Sequence, residues 1–186
     1  MNTSTGAIET VYDGYRFRSQ LEARWATFFN VLGVKYEYEK EGYRLRNGTL
    51  YLPDFWLPNV TLRFDLTPGI WIEIKGQGPT AEESIKCGGL YDVTLRPVIL
   101  FVGLPTSWNE RGNDSGYEFS ERGWDNCMGF MECERGTCRH IKIEFAESNY
   151  RECPKCKARA SEDTPRLIAA YTTARQARFE HNQNGY

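Results

Sequence analysis

Histidine is scarce in this chain of 186 residues, which contains only two. A catalytic triad with a histidine base and a metal enzyme with histidine ligands therefore have little support. The formal net charge is −2, so charge does not mark the whole chain as a nucleic-acid binder, and such a surface would have to be a local patch. No run of 18 apolar residues occurs, and residues 1–5 do not begin a signal peptide, so we expect a soluble cytoplasmic protein with no membrane partner.

The composition is that of a globular protein, since 40% of the residues are hydrophobic and 14% are aromatic, which is enough for a sizeable core. The length suits one domain with a small appendage. We expect a core in residues 12–103, a polar loop or linker in 104–123, a cysteine-rich unit in 124–160 and a C-terminal helix in 164–182.

Asp54, Glu73 and Lys75 are the residues around which the sequence is organised. Asp54 ends one apolar stretch, and Glu73 and Lys75 lie two residues apart in the next strong one. Because side chains alternate along a β-strand, Glu73 and Lys75 point to the same side, which they share with Trp71. The other side is taken by three isoleucines, Ile70, Ile72 and Ile74. If the strand of Asp54 pairs with this strand, two carboxylates and one ammonium group converge, and carboxylates suit hard divalent cations such as Mg²⁺.

An amphipathic helix is predicted to begin after Ser19 and to end at Gly33. Its large apolar side chains fall on one arc, which contains Leu21, Trp25, Phe28, Phe29 and Leu32. Glu22 lies at the edge of this arc and can lean into the seam between helix and sheet, where a catalytic carboxylate would sit. Alternatively, Ser19 and Glu22 form a capping box, in which Glu22 only closes the start of the helix. The acidic residues downstream favour the catalytic role.

The stretches that follow predict strands on both sides of a second helix. The strands are a half-exposed one at 34–39, a hairpin flanking Asn47-Gly48, one at 60–66 that separates the two halves of the site, and a buried one at 97–102. The second helix opens at Thr80 and is weakened and ended by Gly88-Gly89. Strand, helix and strand in this order imply a right-handed parallel crossover and therefore an α/β sandwich.

Pro53-Asp54, followed after eighteen residues by Glu73-Ile74-Lys75, resembles the motif of the PD-(D/E)XK nuclease superfamily. Residues 15–25 resemble the acidic helix that often precedes this motif in the superfamily. The resemblance covers residues 12–103. It implies an α/β fold with a three-layer nuclease core, in which a mixed β-sheet is flanked by helices. To this core we expect the chain to add its cysteine-rich unit, as a small metal-binding appendage, and a C-terminal helix.

The resemblance also implies a Mg²⁺-dependent (or Mn²⁺-dependent) deoxyribonuclease that leaves a 5′-phosphate and a 3′-hydroxyl. Asp54 and Glu73 would bind the metal, with the Ile74 carbonyl as a further ligand. Glu22 would add a ligand or hold a water of the metal. Lys75 would orient or deprotonate the attacking water and stabilise negative charge on the phosphate. An endonuclease is favoured, and structure-specific enzymes such as Holliday-junction resolvases are included; small enzymes of this kind often act as homodimers.

Four residues outside the motif are candidates for contacts with nucleic acid: Gln77, Lys86, Arg175 and Arg178. Two other hypotheses stay open. In the first, the chain is a non-catalytic, zinc-containing DNA-binding or interaction protein on a nuclease-like fold, although a binding module does not need Asp54, Glu73 and Lys75 together. In the second, these three residues form an ordinary surface ion cluster that lies outside any cleft.

Five of the six cysteines lie within thirty residues. Cys153 and Cys156 have the C-x-x-C spacing of a zinc knuckle, which lets two thiolates take adjacent corners of a tetrahedron. Together with Cys133 and Cys138 they predict a zinc ribbon. We expect Zn²⁺ here in a structural role, because four protein ligands leave no open position for catalysis.

The ligand set has alternatives, since His140 or Cys127 could replace one of these cysteines. Reduced free thiols without a metal and a redox-active pair of cysteines are the alternatives to a zinc site. Cys87 stands apart in the sequence and is expected to be a core residue.

Overall fold

A computed structural model describes residues 8–63, 66–107, 116–120, 123–125, 127–145 and 148–179. In these ranges the chain is a mixed α/β protein with fourteen strands and three helices. None of the helices in the described part is long and apolar enough to cross a lipid bilayer.

The helices are α1 (Gln20–Leu32), α2 (Ala81–Thr94) and α3 (Pro165–Gln176). The first nine strands in chain order are β1 (Thr10–Tyr12), β2 (Tyr15–Phe17), β3 (Glu37–Tyr38), β4 (Tyr43–Arg44), β5 (Leu50–Tyr51), β6 (Phe55–Leu57), β7 (Thr61–Leu62), β8 (Ile70–Lys75) and β9 (Val98–Val102). The later strands are β10 (Gly116–Ser120), β11 (Gly123–Asp125), β12 (Met128–Cys133), β13 (Ile141–Phe145) and β14 (Ala160–Ser161).

Six strands form the central sheet, in the order β11, β10, β9, β8, β6, β3. β8 and β9 are parallel, and α2 connects them, whereas the other neighbouring strands of this sheet are antiparallel. A parallel pair needs such a crossover because its second strand must start again at the end where the first began. The mixed sheet with its helices confirms the predicted α/β class.

The central sheet carries a hydrophobic cluster on each of its faces. On one face, Ile72 packs in a large cluster that includes Phe29 of α1. On the other face, Trp71 packs in a second cluster that includes Leu90 of α2. The alternation predicted for this strand is therefore present, and α1 and α2 cover opposite faces of the sheet.

α1 has the ends that the sequence predicts. The Ser19 hydroxyl accepts a hydrogen bond from the Glu22 amide (3.2 Å), and the helix ends at Gly33, whose φ of 70° is left-handed. Such a conformation favours glycine because it has no Cβ. Phe28 and Phe29 are completely buried, so the apolar arc of the helix faces the core as predicted.

α2 continues through both glycines to Thr94, so the predicted end of this helix at Gly88-Gly89 is wrong. The glycines are kept in the helix by tertiary packing, which outweighs their low helix propensity. A Cβ on Gly89 would lie 3.1 Å from Cδ1 of Leu45, which shows how closely the helix approaches the hairpin of β4 and β5. The helix ends one turn later, where Leu95 takes a left-handed φ of 54°.

A second sheet has the order β14, β12, β13, β7 and joins the cysteine-rich part to the rest of the molecule. β7, the paired part of the strand predicted at 60–66, is parallel to β13. Phe130 of β12 packs edge-on against Phe28 of α1, with 5.2 Å between ring centroids. Tyr171 of α3 stacks on the same ring at 4.7 Å. Both parts of the chain therefore share one hydrophobic cluster.

The expected linker at 104–123 contains a strand of the central sheet. β10 pairs with β9 and contributes the buried side chains of Glu118 and Phe119. Its first residue is Gly116, where a Cβ would lie 2.9 Å from the Met128 carbonyl oxygen. Glycine here allows close approach of two strands and does not mark a loop. Residues 108–115 and 121–122 lie outside the described part.

Two other elements are shorter than the sequence predicts. The strand predicted at 34–39 is reduced to β3, whose two residues pair with β6. α3 begins after the N-cap Thr164 as predicted but ends at Gln176 rather than at 182. Residues 180–182 of that prediction lie outside the described part of the chain.

Candidate active site and metal centre

Asp54 lies beside Glu73 and Ile74 because of the register between β6 and β8. Phe55, which follows Asp54, is paired with Ile72 in this antiparallel register. The Ile74 amide donates a hydrogen bond to Oδ2 of Asp54 (2.8 Å). Asp54 is 1% exposed, so this contact holds an almost completely buried carboxylate. The pairing that the sequence prediction required is therefore present.

Glu73 and Lys75 lie on the same side of β8, with Lys75 Nζ 2.5 Å from Glu73 Oε1. Glu73 is 4% exposed, and its second oxygen, Oε2, has no hydrogen-bond partner among the described residues. A buried acceptor without a partner loses its hydration and gains nothing in return. This oxygen and the nearby Asp54 carboxylate are oxygen donors of the type that hard divalent cations take, but among the described residues the acidic side chains here do not form a group of three or more close metal-ligand atoms.

Glu22 is buried at the start of α1 and accepts three hydrogen bonds. The donors are the Tyr38 hydroxyl (2.5 Å), the Arg18 amide (3.1 Å) and the Ser19 hydroxyl (2.8 Å). Its charge also contributes to the raised pKa of Asp54, so the two carboxylates are close enough to interact. Both oxygens of Glu22 are therefore engaged, and the residue has a part in fixing the start of α1.

Burial and neighbouring charges shift the pKa values of Asp54 and Lys75. Burial raises the pKa of Asp54 well above its ordinary value, and the charge of Glu73 adds to this effect. The Lys75 charge and the Ile74 amide act in the opposite direction. Burial alone would lower the pKa of Lys75, but the charges of Glu73 and Asp54 raise it above its ordinary value. The ammonium group therefore remains charged at neutral pH.

A cleft of about 370 Å³ opens over Glu73 and Lys75. The residues that line it are Arg18, Leu50, Tyr51, Leu52, Glu73, Lys75, Glu83 and Lys86. Lys86, predicted as a contact for nucleic acid, is therefore at the cleft, where it forms an ion pair with Glu82 (2.6 Å). Glu73 and the half-buried Lys75 thus line a cleft, and the buried Asp54 lies beside them, which disagrees with the hypothesis of an ordinary surface ion cluster outside any cleft.

The other predicted contacts lie elsewhere. Gln77 is exposed in the turn after β8 and is not among the described residues that line the cleft. Arg175 is in the last turn of α3, where its carbonyl oxygen accepts a hydrogen bond from Arg24 of α1. Arg178 is exposed and follows the end of that helix.

Three residues of the site were not predicted: Arg18, Tyr38 and Tyr51. Arg18 Nη2 lies 2.7 Å from Asp54 Oδ1, and Arg18 Nε lies 2.7 Å from Glu39 Oε1. Burial raises the pKa of Tyr51, and the charges of Cys87 and Glu73 raise it further. The only local signal for Arg18 is its position next to the N-cap Ser19, since its acidic partners come from distant parts of the sequence.

The predicted zinc ligands Cys133, Cys138, Cys153 and Cys156 come together in one group. Their four sulphur atoms all lie within 4.8 Å of one another. Cys133 Sγ is 3.4 Å from Cys156 Sγ, and Cys138 Sγ is 3.9 Å from Cys153 Sγ. A tetrahedral zinc site with Zn–S bonds of about 2.3 Å has sulphur–sulphur distances of roughly 3.8 Å. The group can therefore hold a metal such as zinc.

Backbone amides support the thiolate form of this group. The Ala158 amide is the main cause that lowers the pKa of Cys156 to about 7. Burial raises the pKa of Cys133 to about 12, although the Arg135 amide acts against this. Each of these amides belongs to the residue two positions after its cysteine. Metal binding would require all four thiols to lose their protons.

The alternative ligands are not in the group. His140 Nε2 lies 2.9 Å from the Thr61 hydroxyl, and burial lowers the pKa of His140. Cys127 is buried near the start of β12 and is not one of the residues whose ligand atoms cluster. Cys87 is a completely buried thiol of the second hydrophobic cluster, as predicted.

Comparisons of the chain with protein-family models, with curated proteins and with solved structures gave no match. Function must therefore be inferred from the chemistry of the two sites. One is a buried acidic site with a lysine at a cleft, and the other is a four-cysteine group that can hold a metal.

Proposed function

We propose that the protein is a metal-dependent nuclease of the PD-(D/E)XK type that hydrolyses phosphodiester bonds in DNA. The observation that carries this proposal is the unpartnered, buried Oε2 of Glu73 beside the Asp54 carboxylate. A buried acceptor that is left unpaired lowers stability by about 1–3 kcal/mol or more, and a cation that binds at this oxygen would recover that loss. A cation that binds during function explains why the oxygen is left open.

Each residue of the site has a role in this reaction. Asp54, Glu73 and the Ile74 carbonyl would hold Mg²⁺ or Mn²⁺, which when bound supplies Lewis acidity and a nucleophile at neutral pH. Glu22 already accepts three hydrogen bonds, so holding a water suits it better than direct ligation of the metal. Lys75 keeps Glu73 in position and orients the attacking water, and its charge stabilises the phosphate as negative charge develops.

The four-cysteine group would hold a structural zinc ion next to the nuclease core. Its strands share a sheet with β7 and a hydrophobic cluster with α1, so the metal would stabilise the frame that carries Glu22. We propose double-stranded or branched DNA as the substrate, cut endonucleolytically, because the three basic residues that line the cleft, Arg18, Lys75 and Lys86, outnumber its two acidic residues.

The test is cleavage of supercoiled plasmid, linear duplex and a four-way junction with Mg²⁺ or Mn²⁺. Asp54→Ala and Lys75→Ala should each lower the rate by about 10²-fold or more, because each removes a group that stabilises the transition state. Glu9→Ala and Lys35→Ala are matched controls, since both residues are exposed and do not line the cleft. They should cleave at the wild-type rate, and the zinc content of all variants should be the same.

Cleavage that persists in Asp54→Ala would place the activity elsewhere and contradict the proposal. If wild-type protein with its zinc cuts none of the substrates but retains DNA in a gel shift, the chain is a DNA-binding protein without catalysis. The preferred substrate among the three would identify the subclass of nuclease.

A further inference from the structure

Arg18 is paired with the carboxylate that the proposed nuclease needs as a metal ligand. Its Nη2 lies 2.7 Å from Asp54 Oδ1, while the other oxygen of Asp54 accepts a hydrogen bond from the Ile74 amide (2.8 Å). Both oxygens of Asp54 are therefore engaged. A cation that takes Oδ1 as a ligand must replace the Arg18 guanidinium, because the two positive groups would repel each other at this distance.

The backbone of Arg18 is held in place while its side chain reaches solvent. The Arg18 amide donates hydrogen bonds to Glu22 Oε2 (3.1 Å) and to the Tyr38 hydroxyl (3.1 Å). The side chain is 54% exposed and lines the cleft together with Lys75 and other residues. The guanidinium can therefore leave Asp54 by rotation of the side chain alone, without movement of the start of α1.

Arg18 has a second acidic partner, Glu39, which is more exposed than Asp54. Arg18 Nε is 2.7 Å from Oε1 of Glu39, whose side chain is 26% exposed, whereas that of Asp54 is 2% exposed. Glu39 can keep the arginine near the site after Asp54 has been released. The guanidinium then faces the cleft with free N–H groups, and its planar fork matches the oxygens of a phosphate.

We propose that Arg18 is a further catalytic residue, which neutralises Asp54 until a divalent cation binds and then contacts the phosphate of the substrate. This inference rests on the proposed function. If it is correct, loss of the Arg18 guanidinium should change cation binding and DNA cleavage in opposite directions. Removing the arginine should strengthen binding of the cation, since a competitor is lost, but should slow cleavage, since a phosphate contact is lost.

The experiment compares Arg18→Gln, Arg18→Lys and the control Arg16→Gln in the full-length, zinc-loaded protein. Arg16 is a matched control because it is an exposed arginine two positions away and forms an ion pair with the exposed Glu9. Binding of Mn²⁺ without DNA is measured by calorimetry, with Asp54→Asn to identify the heat of this site. Cleavage of the best DNA substrate is measured on the same samples, and melting temperature and zinc content check the fold.

Arg18→Gln should bind Mn²⁺ about 3- to 10-fold more tightly and cleave DNA about 10- to 100-fold more slowly, and Arg16→Gln should match wild type. Arg18→Lys should bind Mn²⁺ nearly as wild type does, because the charge is kept, and should cleave slowly, because lysine lacks the fork. A role of Arg18 in folding alone would not strengthen metal binding.

Two results would overturn the proposal and are distinguishable. If wild type binds Mn²⁺ and cuts DNA but Arg18→Gln binds Mn²⁺ equally or more weakly, Arg18 does not compete with the cation and the nuclease proposal stands without it. If neither wild type nor Arg18→Gln shows Mn²⁺ binding that Asp54→Asn abolishes, the proposed function fails and the role of Arg18 fails with it.

Discussion

Asp54 combines almost complete burial with a charge that its surroundings compensate only in part. Burial, and then the charge of Glu73, raise the pKa of Asp54 well above its ordinary value. A carboxylate with a higher pKa in the folded chain binds its proton more tightly when the protein is folded. Its ionisation therefore removes stability as the pH rises through the folded-state pKa. Below the unfolded-state pKa the group is protonated in both states and the penalty is absent.

Asp54→Asn is therefore expected to raise the melting temperature at about pH 8 without divalent cations. The gain in the free energy of unfolding should be at least about 1 kcal/mol, because a difference of one in pKa between the folded and the unfolded chain corresponds to about 1.4 kcal/mol. It should disappear as the pH falls toward 3.8, the ordinary pKa of Asp54. Adding Mg²⁺ should stabilise wild type only, because a ligand that binds the folded state raises its stability. Thermal unfolding across pH, with and without Mg²⁺, measures both effects.

Asp92→Asn is the control for this experiment, since Asp92 is an exposed carboxylate on α2. Its melting temperature should follow that of wild type at every pH. If Asp54→Asn instead melts below wild type at high pH without divalent cations, the ion pair with Arg18 outweighs the penalty of burial.

The residues of the site differ in how far local patterns could predict them. Glu73 and Lys75 share a side because of the two-residue period of a strand, and Glu22 follows from its place at the start of an apolar arc. Arg18 reaches Asp54 across 36 positions of the sequence. Such a contact depends on how α1 and the sheet pack together, so it cannot be predicted from the helix or strand periodicity of the sequence.

At the scale of elements, the two glycines of α2 occupy different surroundings. A Cβ on Gly88 would meet nothing within 4 Å, whereas one on Gly89 would lie 3.1 Å from Cδ1 of Leu45. Leu45 is 3% exposed and belongs to the same hydrophobic cluster as Leu90, so it has little room to move. Both glycines are helical, but only Gly88 has space for a side chain.

Gly88→Ala is expected to raise the free energy of unfolding by about 0.5–1 kcal/mol, because alanine loses less conformational freedom in a helix than glycine does. Gly89→Ala should bring no gain, since crowding against Leu45 offsets the same benefit. Thermal unfolding followed by circular dichroism measures the difference between the two variants. Equal stabilisation by both substitutions would mean that Leu45 yields to the new methyl group and that packing does not hold Gly89 in the helix.

The ends of α1 were predictable and the end of α2 was not, for one physical reason. Ser19 and Gly33 act through bonds and dihedral angles within a few residues of the helix end, so their effect is visible in the sequence. Gly88 and Gly89 weaken a helix by at most about 1 kcal/mol each, which packing can outweigh. The buried Cys87 and Leu90 on either side provide that packing.

At the scale of the whole molecule, the cysteine-rich part is joined to the core more closely than its sequence indicates. The four cysteines that the sequence predicts as ligands are confirmed as a group, because the spacing of knuckle ligands is a local property. The pairing of β7 with β13 and the close approach at Gly116 are properties of the assembled sheets. A glycine-rich, polar stretch looks like a linker in sequence, and only the facing strands show that it contains β10.

The shared sheet and hydrophobic cluster predict how the molecule would respond to removal of the proposed zinc ion. Phe130 and Ile143 lie on the two strands that lead to the cysteines, and both are buried in the cluster that contains Phe28 of α1. Unfolding of these strands would open that cluster to water, and the exposed apolar surface would destabilise the core. Loss of zinc should therefore lower the stability of α1 as well as that of the cysteine-rich part.

We accordingly expect one zinc ion per chain and a single thermal transition that falls by more than about 10 °C when a zinc-selective chelator is added, since binding energy at such sites is folding energy. Cys153→Ser should lose the metal and melt early in the same way. Cys87→Ala, which removes a buried thiol outside the group, should keep its zinc. Calorimetry with metal analysis measures both quantities. Two transitions after chelation, with the upper one at the wild-type temperature, would mean that the core folds without the cysteine-rich part.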